Sequence, residues 1–220
     1  MTRHPNSRPH PDPRTALPRL AEALRGLPPS CGPVRLVAID GHAGSGKSTF
    51  ARRLADAFDG VFAGVPVLRL DDIASHDALF AWTERLHRAV LGPLSRGEAA
   101  HYAVYDWTER RFGPADRVLP PAPVVIVEGV GAGRAALRPF LAQLLWMDVP
   151  QEEAWARGRQ RDGQVQSDFW DGWEPAERRH FAEDPSRPFA HFLVRQSPEG
   201  YELLQGPSET PVGTQVVTQS

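Results

Sequence analysis

The sequence predicts an α/β fold, a parallel sheet flanked by helices on both faces. Three observations predict it. Apolar runs of strand length alternate with helical stretches along most of the 220 residues. The first such run leads directly into a glycine-rich loop that opens a helix. A later run, Val124 to Val127, is wholly β-branched, as a strand buried on both faces requires. A hydrophobic fraction of 41% suffices for such a core.

The elements follow in order. Residues 1–14, polar and proline-rich, read as a disordered arm without the apolar stretch of a secretory signal. Leu17, Leu20, Ala21, Leu24 and Leu27 keep helical spacing, and Pro28-Pro29 ends that helix. Val34 to Ile39 is a strand, residues 41–46 a loop, and Lys47 to Phe58 a helix. Val65 to Leu70 is a second strand that runs into Asp71-Asp72. Leu79, Trp82, Leu86, Ala89 and Val90 mark a long helix, stopped near Gly92-Pro93. A polar segment with aromatics spans His101 to Phe112, and Val124 to Val127 is the central strand. Ala135 to Leu141 reads as helix, Leu144 to Val149 as strand, and Gln151 to Arg161 as an arginine-rich helix. Residues 163–188 hold two tryptophans among many charges and take no assignment. Phe192 to Arg195 and Tyr201 to Leu204 form one late strand or a hairpin, and residues 206–220 a flexible tail. Residues 15–205 are thus expected to be one domain. Right-handed crossovers would place the strand C-termini on one edge, where open α/β sheets bind ligands.

Composition excludes several classes. The formal net charge of -2 offers no global basic field for nucleic acid or anionic membrane. No apolar run approaches a membrane span. Cys31 is the lone cysteine, which rules out an internal disulfide and a thiolate metal site and fits the reducing cytoplasm. Nothing in the sequence argues for or against an oligomer. Lys47 is the only lysine in the chain.

That lysine sits in Gly41-His42-Ala43-Gly44-Ser45-Gly46-Lys47-Ser48, which satisfies G-x-x-x-x-G-K-[ST] in full, between a strand and a helix. Glycines let the backbone wrap the phosphates of ATP or GTP with N–H groups turned inward, and the helix N-terminus adds its dipole. Lys47 would reach the β- and γ-phosphates, and the Ser48 hydroxyl would ligate Mg²⁺, with Thr49 one residue deeper as a weaker substitute. His42 occupies a variable position of the loop, where it could act as a sensor or contact the nucleotide, but its side chain is expected to face solvent.

Two further acids follow strands. Asp71 and Asp72 end the second strand, where a carboxylate can take the proton of an attacking hydroxyl. Adjacent side chains on an extended chain point opposite ways, so one acid faces the site and the other caps or meets solvent. Asp71 is the preferred base. Val124-Val125-Ile126-Val127-Glu128 has the shape of a Walker B strand, with Glu128 placed to hold a Mg²⁺-bound water. Trp82, Trp146 and Trp155 read as core and Trp107 as a ligand wall, while Trp170 and Trp173 take no role. His180 and His191 read as structural histidines.

Taken in order, these segments resemble the uridine kinase family of P-loop nucleoside kinases. The resemblance rests on Ile39-Asp40-Gly41 through Ser48, Leu70-Asp71-Asp72, Tyr105-Asp106-Trp107 with Arg110 or Arg111, Val127-Glu128-Gly129-Val130-Gly131, Arg157 through Asp162, and Trp170 to Asp184. It covers roughly residues 34–187 and looks closest to a bacterial uridine-kinase-like branch. It implies a P-loop NTPase fold with a lid at about residues 157–187, Asp71 as base, Tyr105 and Asp106 holding the acceptor's base or sugar, and Arg157 and Arg161 meeting the phosphates. The acceptor site would then include Asp71, Asp72, Tyr105, Asp106, Trp107 and Arg110. Where this family follows the catalytic acid with aromatics, the chain has Ile73-Ala74-Ser75, and Trp107 or Tyr105 is the candidate replacement.

The reading is therefore an ATP-dependent phosphotransferase acting on a small hydroxyl-bearing molecule, with a nucleoside such as uridine or cytidine as the leading acceptor. Two alternatives stand beside it. A nucleotide-binding regulatory protein would need no acceptor pocket, and a kinase of a mononucleotide or another small metabolite would line that pocket differently, with Arg110 and Arg111 available for a second phosphate.

Overall fold

A computed structural model describes residues 15–58 and 64–208. The expected N-terminal arm and most of the expected tail lie outside the described residues. Helix α1 (Ala16–Gly26) precedes β1 (Arg35–Asp40) and α2 (Lys47–Asp56). Strand β2 (Val67–Arg69) ends before the acid pair, which lies in a 3-10 turn, Leu70–Asp72, instead of on extended chain. Helix α3 (Thr83–Leu86) passes through a π-helical turn, His87–Leu91, into α4 (Gly92–Ser95). Strands β3 (Ala100–Tyr102), β4 (Tyr105–Asp106), β5 (Arg111–Phe112) and β6 (Arg117–Leu119) precede β7 (Val124–Glu128) and β8 (Leu141–Met147). Helices α5 (Gln151–Asp162) and α6 (Ser167–Glu183) lead to the hairpin β9 (Phe192–Ser197) and β10 (Gly200–Gln205).

The main sheet has the order β10-β9-β8-β1-β7-β2, parallel except for β10 on the edge, which is antiparallel to β9. β1 therefore lies between β7 and β8. Alternating side chains divide the core. Leu36, Ala38, Val125, Val127, Leu144 and Trp146 pack on one face, with Trp82, Leu86 and Leu94. Val37, Ile39, Val124, Ile126, Leu145 and Met147 pack on the other, with Leu20 and Leu24 of α1 and Phe50 and Leu54 of α2. Period-2 alternation with both sets buried is what makes these strands near-continuously apolar. Register places Ile39 beside Glu128 and Arg69 beside the same glutamate, so the loops after β1, β2 and β7 emerge together at one edge.

Two expectations are corrected. The helix expected at Ala135 to Leu141 is a series of turns with a 3-10 segment, Arg138–Phe140, because Pro139 lacks the N–H that an α-turn needs. Leu79 lies outside the helix begun at Thr83, although Trp82 is buried. The segment His101 to Phe112 belongs to nested antiparallel pairs, β3 with β6 and β4 with β5. The unassigned stretch after residue 163 holds the 17-residue α6, and Trp170, Trp173, Glu177 and His180 fall on its buried face at helical spacing. Tryptophans 155, 170 and 173 with Val130 form a third, smaller core.

Gly158 of α5 lies against Trp170. A β-carbon there would sit 2.3 Å from the indole ring. Alanine favours a helix interior over glycine by about 1 kcal/mol, whereas overpacking a filled contact costs about 1–3 kcal/mol. Gly158→Ala is therefore expected to be destabilising on balance, with a lower denaturant midpoint in equilibrium unfolding.

His180 and His191 are each held below the ordinary histidine pKa by burial. His191 Nδ1 also accepts a hydrogen bond from the Leu144 N–H (3.0 Å), which requires an unprotonated nitrogen. The unfolded chain binds these protons near the ordinary value of about 6.5. Stability should thus be complete above that pH and fall as the pH drops toward the lower folded values. Urea titrations between pH 8 and 5 should show this slope. His191→Asn, which keeps an acceptor but cannot titrate there, should flatten it.

Candidate active site

The first fixed point is Asp40, at the end of the central strand. It is fully buried, and its carboxylate accepts from the backbone N–H groups of Gly41 (2.7 Å), Gly131 (2.9 Å) and Gly133 (2.8 Å). The strand end that begins the phosphate loop is thus tied to the turn after β7. Charge-assisted bonds of this kind contribute more than neutral ones, so Asp40→Asn, which turns one acceptor oxygen into a donor amide, is expected to cost at least about 1.5–3 kcal/mol. The unfolding free energy of the purified variant checks this.

A cavity of about 600 Å³ opens above that edge. Ala43, Gly44, Gly46, Lys47, Ser48 and Thr49 line it from the loop and the start of α2. Gly44 and Gly46 have φ of 84° and 92°, backbone that only glycine adopts without strain. Gly44 is also a packing requirement, since a β-carbon there would lie 2.0 Å from the Ala154 carbonyl of α5. Lys47 is buried, and its Nζ donates to the carbonyls of Gly41 and His42, both at 2.9 Å.

Glu128 lines the same cavity as Ser48, which lies close enough to favour its charged form. Burial raises its carboxyl above the ordinary range, Lys47 draws it back, and Asp71 pushes it up again. Ser48 and Glu128 are thus two hard oxygen donors side by side, a pair that fits Mg²⁺. Among the described residues no three acidic, histidine or cysteine side chains gather into a cage. An ion at this place must take most of its ligands from phosphates and water, as Mg²⁺ in nucleotide sites does.

Asp71 lines the cavity and Asp72 does not. The tight turn, not strand alternation, separates them. Asp72 is half-buried against Tyr102; burial raises its pKa, with Arg69 and Arg117 opposing, and Tyr102 is pushed up to about 12. Asp71 stays largely exposed, and Arg69 lies 3.7 Å from it and 3.7 Å from Glu128. The Asp71 carbonyl accepts from Trp107 Nε1 (3.0 Å), so the indole is braced on the turn that carries the acid.

Trp107, Thr108, His76, Phe169, Trp170 and Trp173 form the opposite wall. His76 lies 4.9 Å from Trp107 and 6.1 Å from Phe169, centroid to centroid, and its Nδ1 is 2.9 Å from the Tyr105 hydroxyl. Burial lowers its pKa, and Arg110 lowers it further. Tyr105 itself is buried behind His76 and away from the cavity. Asp106 caps the turn after β4, accepting from the N–H groups of Thr108 (2.9 Å) and Glu109 (2.8 Å). Arg110 is exposed at the tip of that turn, with φ of 54°. Asp72, Tyr105, Asp106 and Arg110 thus support or flank the cavity without lining it.

Arg157 and Arg161, one helical turn apart, both line the cavity. Arg159, between them, points the other way and ties α5 to α6 through Glu174 (2.6 Å) and Asp171 (2.7 Å). Gly41 and Ser45 are buried beneath the loop, and the Ser45 hydroxyl has no hydrogen-bond partner there. His42, expected to face solvent, is instead mostly buried. Its Nδ1 is 2.7 Å from Glu177, and its ring packs 5.3 Å from Trp146 and 5.2 Å from Phe181. Sequence reasoning passed over His76, Phe169 and Glu177. The helical stripe through Trp170, Trp173 and Glu177 was the available signal for the last.

No protein-family model matches the chain, and no curated protein matches it. Solved structures do. One is described as a possible uridine kinase from Bacillus stearothermophilus (TM-score 0.54, 20% identity, 76% of this chain and 95% of that one). Another is a provisionally described fructose transport system kinase from Silicibacter sp. TM1040 (TM-score 0.57, 22% identity, 78% and 90%). The chain has the P-loop kinase fold. A third structure with this fold is that of the YGR205w protein (TM-score 0.51, 12% identity, 89% and 95%). The P-loop kinase fold accounts for the position of the cavity, at the C-terminal edge of the sheet and beside the central strand. No helix among the described residues is long and apolar enough to cross a membrane.

Proposed function

We propose that this chain is a P-loop kinase that moves the γ-phosphate of Mg-ATP, or Mg-GTP, to a hydroxyl of a small acceptor, with a nucleoside such as uridine or cytidine as the best candidate. One observation carries the reading. A single cavity brings the phosphate loop, the Ser48–Glu128 pair and two lid arginines together with an exposed carboxylate, Asp71, and an aromatic wall. A nucleotide switch needs the first three and has no use for the last two. The kinase names of two fold neighbours agree with this reading.

The residues divide the work. Loop N–H groups and Lys47 would bind the phosphates, Lys47 leaving its two loop carbonyls to do so. Mg²⁺, when bound at Ser48 and Glu128, neutralises phosphate charge. Asp71 would take the proton of the acceptor hydroxyl. Arg157 and Arg161 would stabilise charge on the transferring oxygens, and α5 with α6, about residues 157–187, would act as the lid of a domain spanning 15–205. Trp107, Phe169 and His76 favour a flat ring over a bare polyol, with the first two supplying apolar faces and His76 a polar edge. This supplies the stacking surface missing after Asp72 in the sequence.

The purified protein should release ADP from Mg-ATP when one of uridine, cytidine, their monophosphates or fructose is added. Asp71→Ala should reduce that rate by roughly 10²–10⁴-fold with Mg-ATP binding retained, and Lys47→Ala should remove the binding. Tight binding of Mg-ATP with no acceptor response from a panel of nucleosides, sugars and monophosphates would favour the regulatory reading.

A further inference from the structure

Glu177 lies in the middle of α6, and none of its side chain reaches solvent. Four N–H donors converge on it. Oε1 receives His42 Nδ1 (2.7 Å) and Trp155 Nε1 (3.1 Å); Oε2 receives the Ala43 N–H (3.1 Å) and Trp173 Nε1 (2.7 Å). A carboxylate has about four acceptor sites, and all are taken. Because it has no proton to give, His42 must carry its hydrogen on Nδ1. Burial works against the charge, but the His42 bond, Lys47 and the Ala43 N–H outweigh it and hold the pKa below the ordinary range.

A buried anion beside a loop shaped for phosphates opposes the ligand electrostatically, so simple core satisfaction would be better served by an apolar residue. Its geometry supplies a different role. Two of the four donors belong to the phosphate loop, and the other two to the helices packed over it. The carboxylate grips the N–H of Ala43, which lines the cavity, while the carbonyl of His42, on the other side of the same peptide, receives Lys47. We propose that Glu177 is a positioning residue: it sets the His42–Ala43 peptide for phosphate binding and makes nucleotide affinity depend on the packing of α5 and α6. The proposal rests on the kinase reading in taking a triphosphate as the ligand.

Calorimetric titration of the full chain with Mg-ATP, followed in parallel by intrinsic tryptophan emission, tests it. Glu177→Gln would set an amide NH₂ against two N–H donors. The expected result is a folded protein whose Kd for Mg-ATP rises about tenfold or more, with an altered emission from Trp155 and Trp173. Val90→Ala weakens the core on the far side of the fold without lining the cavity or bonding to Glu177, and should bind within about twofold of wild type. Folded Glu177→Gln binding as tightly as wild type would overturn the proposal. So would an equal loss in Val90→Ala, which would mean that binding follows the general stability of the core and not this carboxylate. Should Glu177→Gln not fold, His42→Ala breaks one of the two loop-side bonds and leaves the Ala43 N–H in place: weakened binding supports the positioning role, and unchanged binding overturns it. A wild-type chain that does not bind Mg-ATP would bring down the kinase reading as well, whereas binding that is indifferent to Glu177 removes only this inference.

Discussion

Everything at the sheet edge is hung from the Asp40 carboxylate. A buried, unpaired carboxylate is expensive, and this one is tolerated because three backbone N–H groups converge on it. Two of these bonds, from Gly131 and Gly133, stitch the end of β1 to the turn after β7, so two neighbouring strands must finish at one level. Glu128, one residue before that turn, is thereby brought beside Ser48. Gly131, with φ of 86°, is needed because the turn must present its N–H inward.

A second buried carboxylate repeats the device on the other side of the loop. Asp40 holds the loop from below, through the sheet, and Glu177 holds it from α6. Between these anchors, α5 approaches through two glycines: Gly44, whose missing β-carbon leaves room for the Ala154 carbonyl, and Gly158, whose missing β-carbon leaves room for Trp170. The helix pair is thus seated directly on the loop. Charge is sorted by the helix period. Arg157 and Arg161 face the cavity, while Arg159 is spent on Glu174 and Asp171 and joins the two helices. The cavity so formed is lined by cations, the phosphate loop, Asp71 and aromatic rings.

Much of the fold was legible because it rests on short-range pattern. β1, α2, β7, β8 and α5 came through as apolar runs or helical stripes whose neighbours in sequence agreed. The misreadings have separate physical causes. Pro139 forbids the α-turn that the apolar pattern after Ala135 suggested. Residues 101–112 took no assignment because their nested strands, at two or three residues each, are too short to show alternation. Helix α6 was hidden by Pro175 and by the charges on its outer face. His42 was read as facing solvent because its partner lies 135 residues away, and no local signal connects the two.

The sequence by itself determined the phosphate loop, its strand and helix, the acids after β2 and β7, and hence the class of sheet. These depend on glycine conformation, motif spacing and periodicity, which act within a few residues. Only the tertiary structure decided that Asp71 and not Asp72 opens into the cavity, that Trp107, His76 and Phe169 form one wall, and that Tyr105 and Asp106 stand behind it as supports. It alone brought Glu177 to the loop. Those outcomes depend on which surfaces are buried against each other when distant segments pack, and burial of a polar group is settled by the partners it finds there, not by its neighbours along the chain.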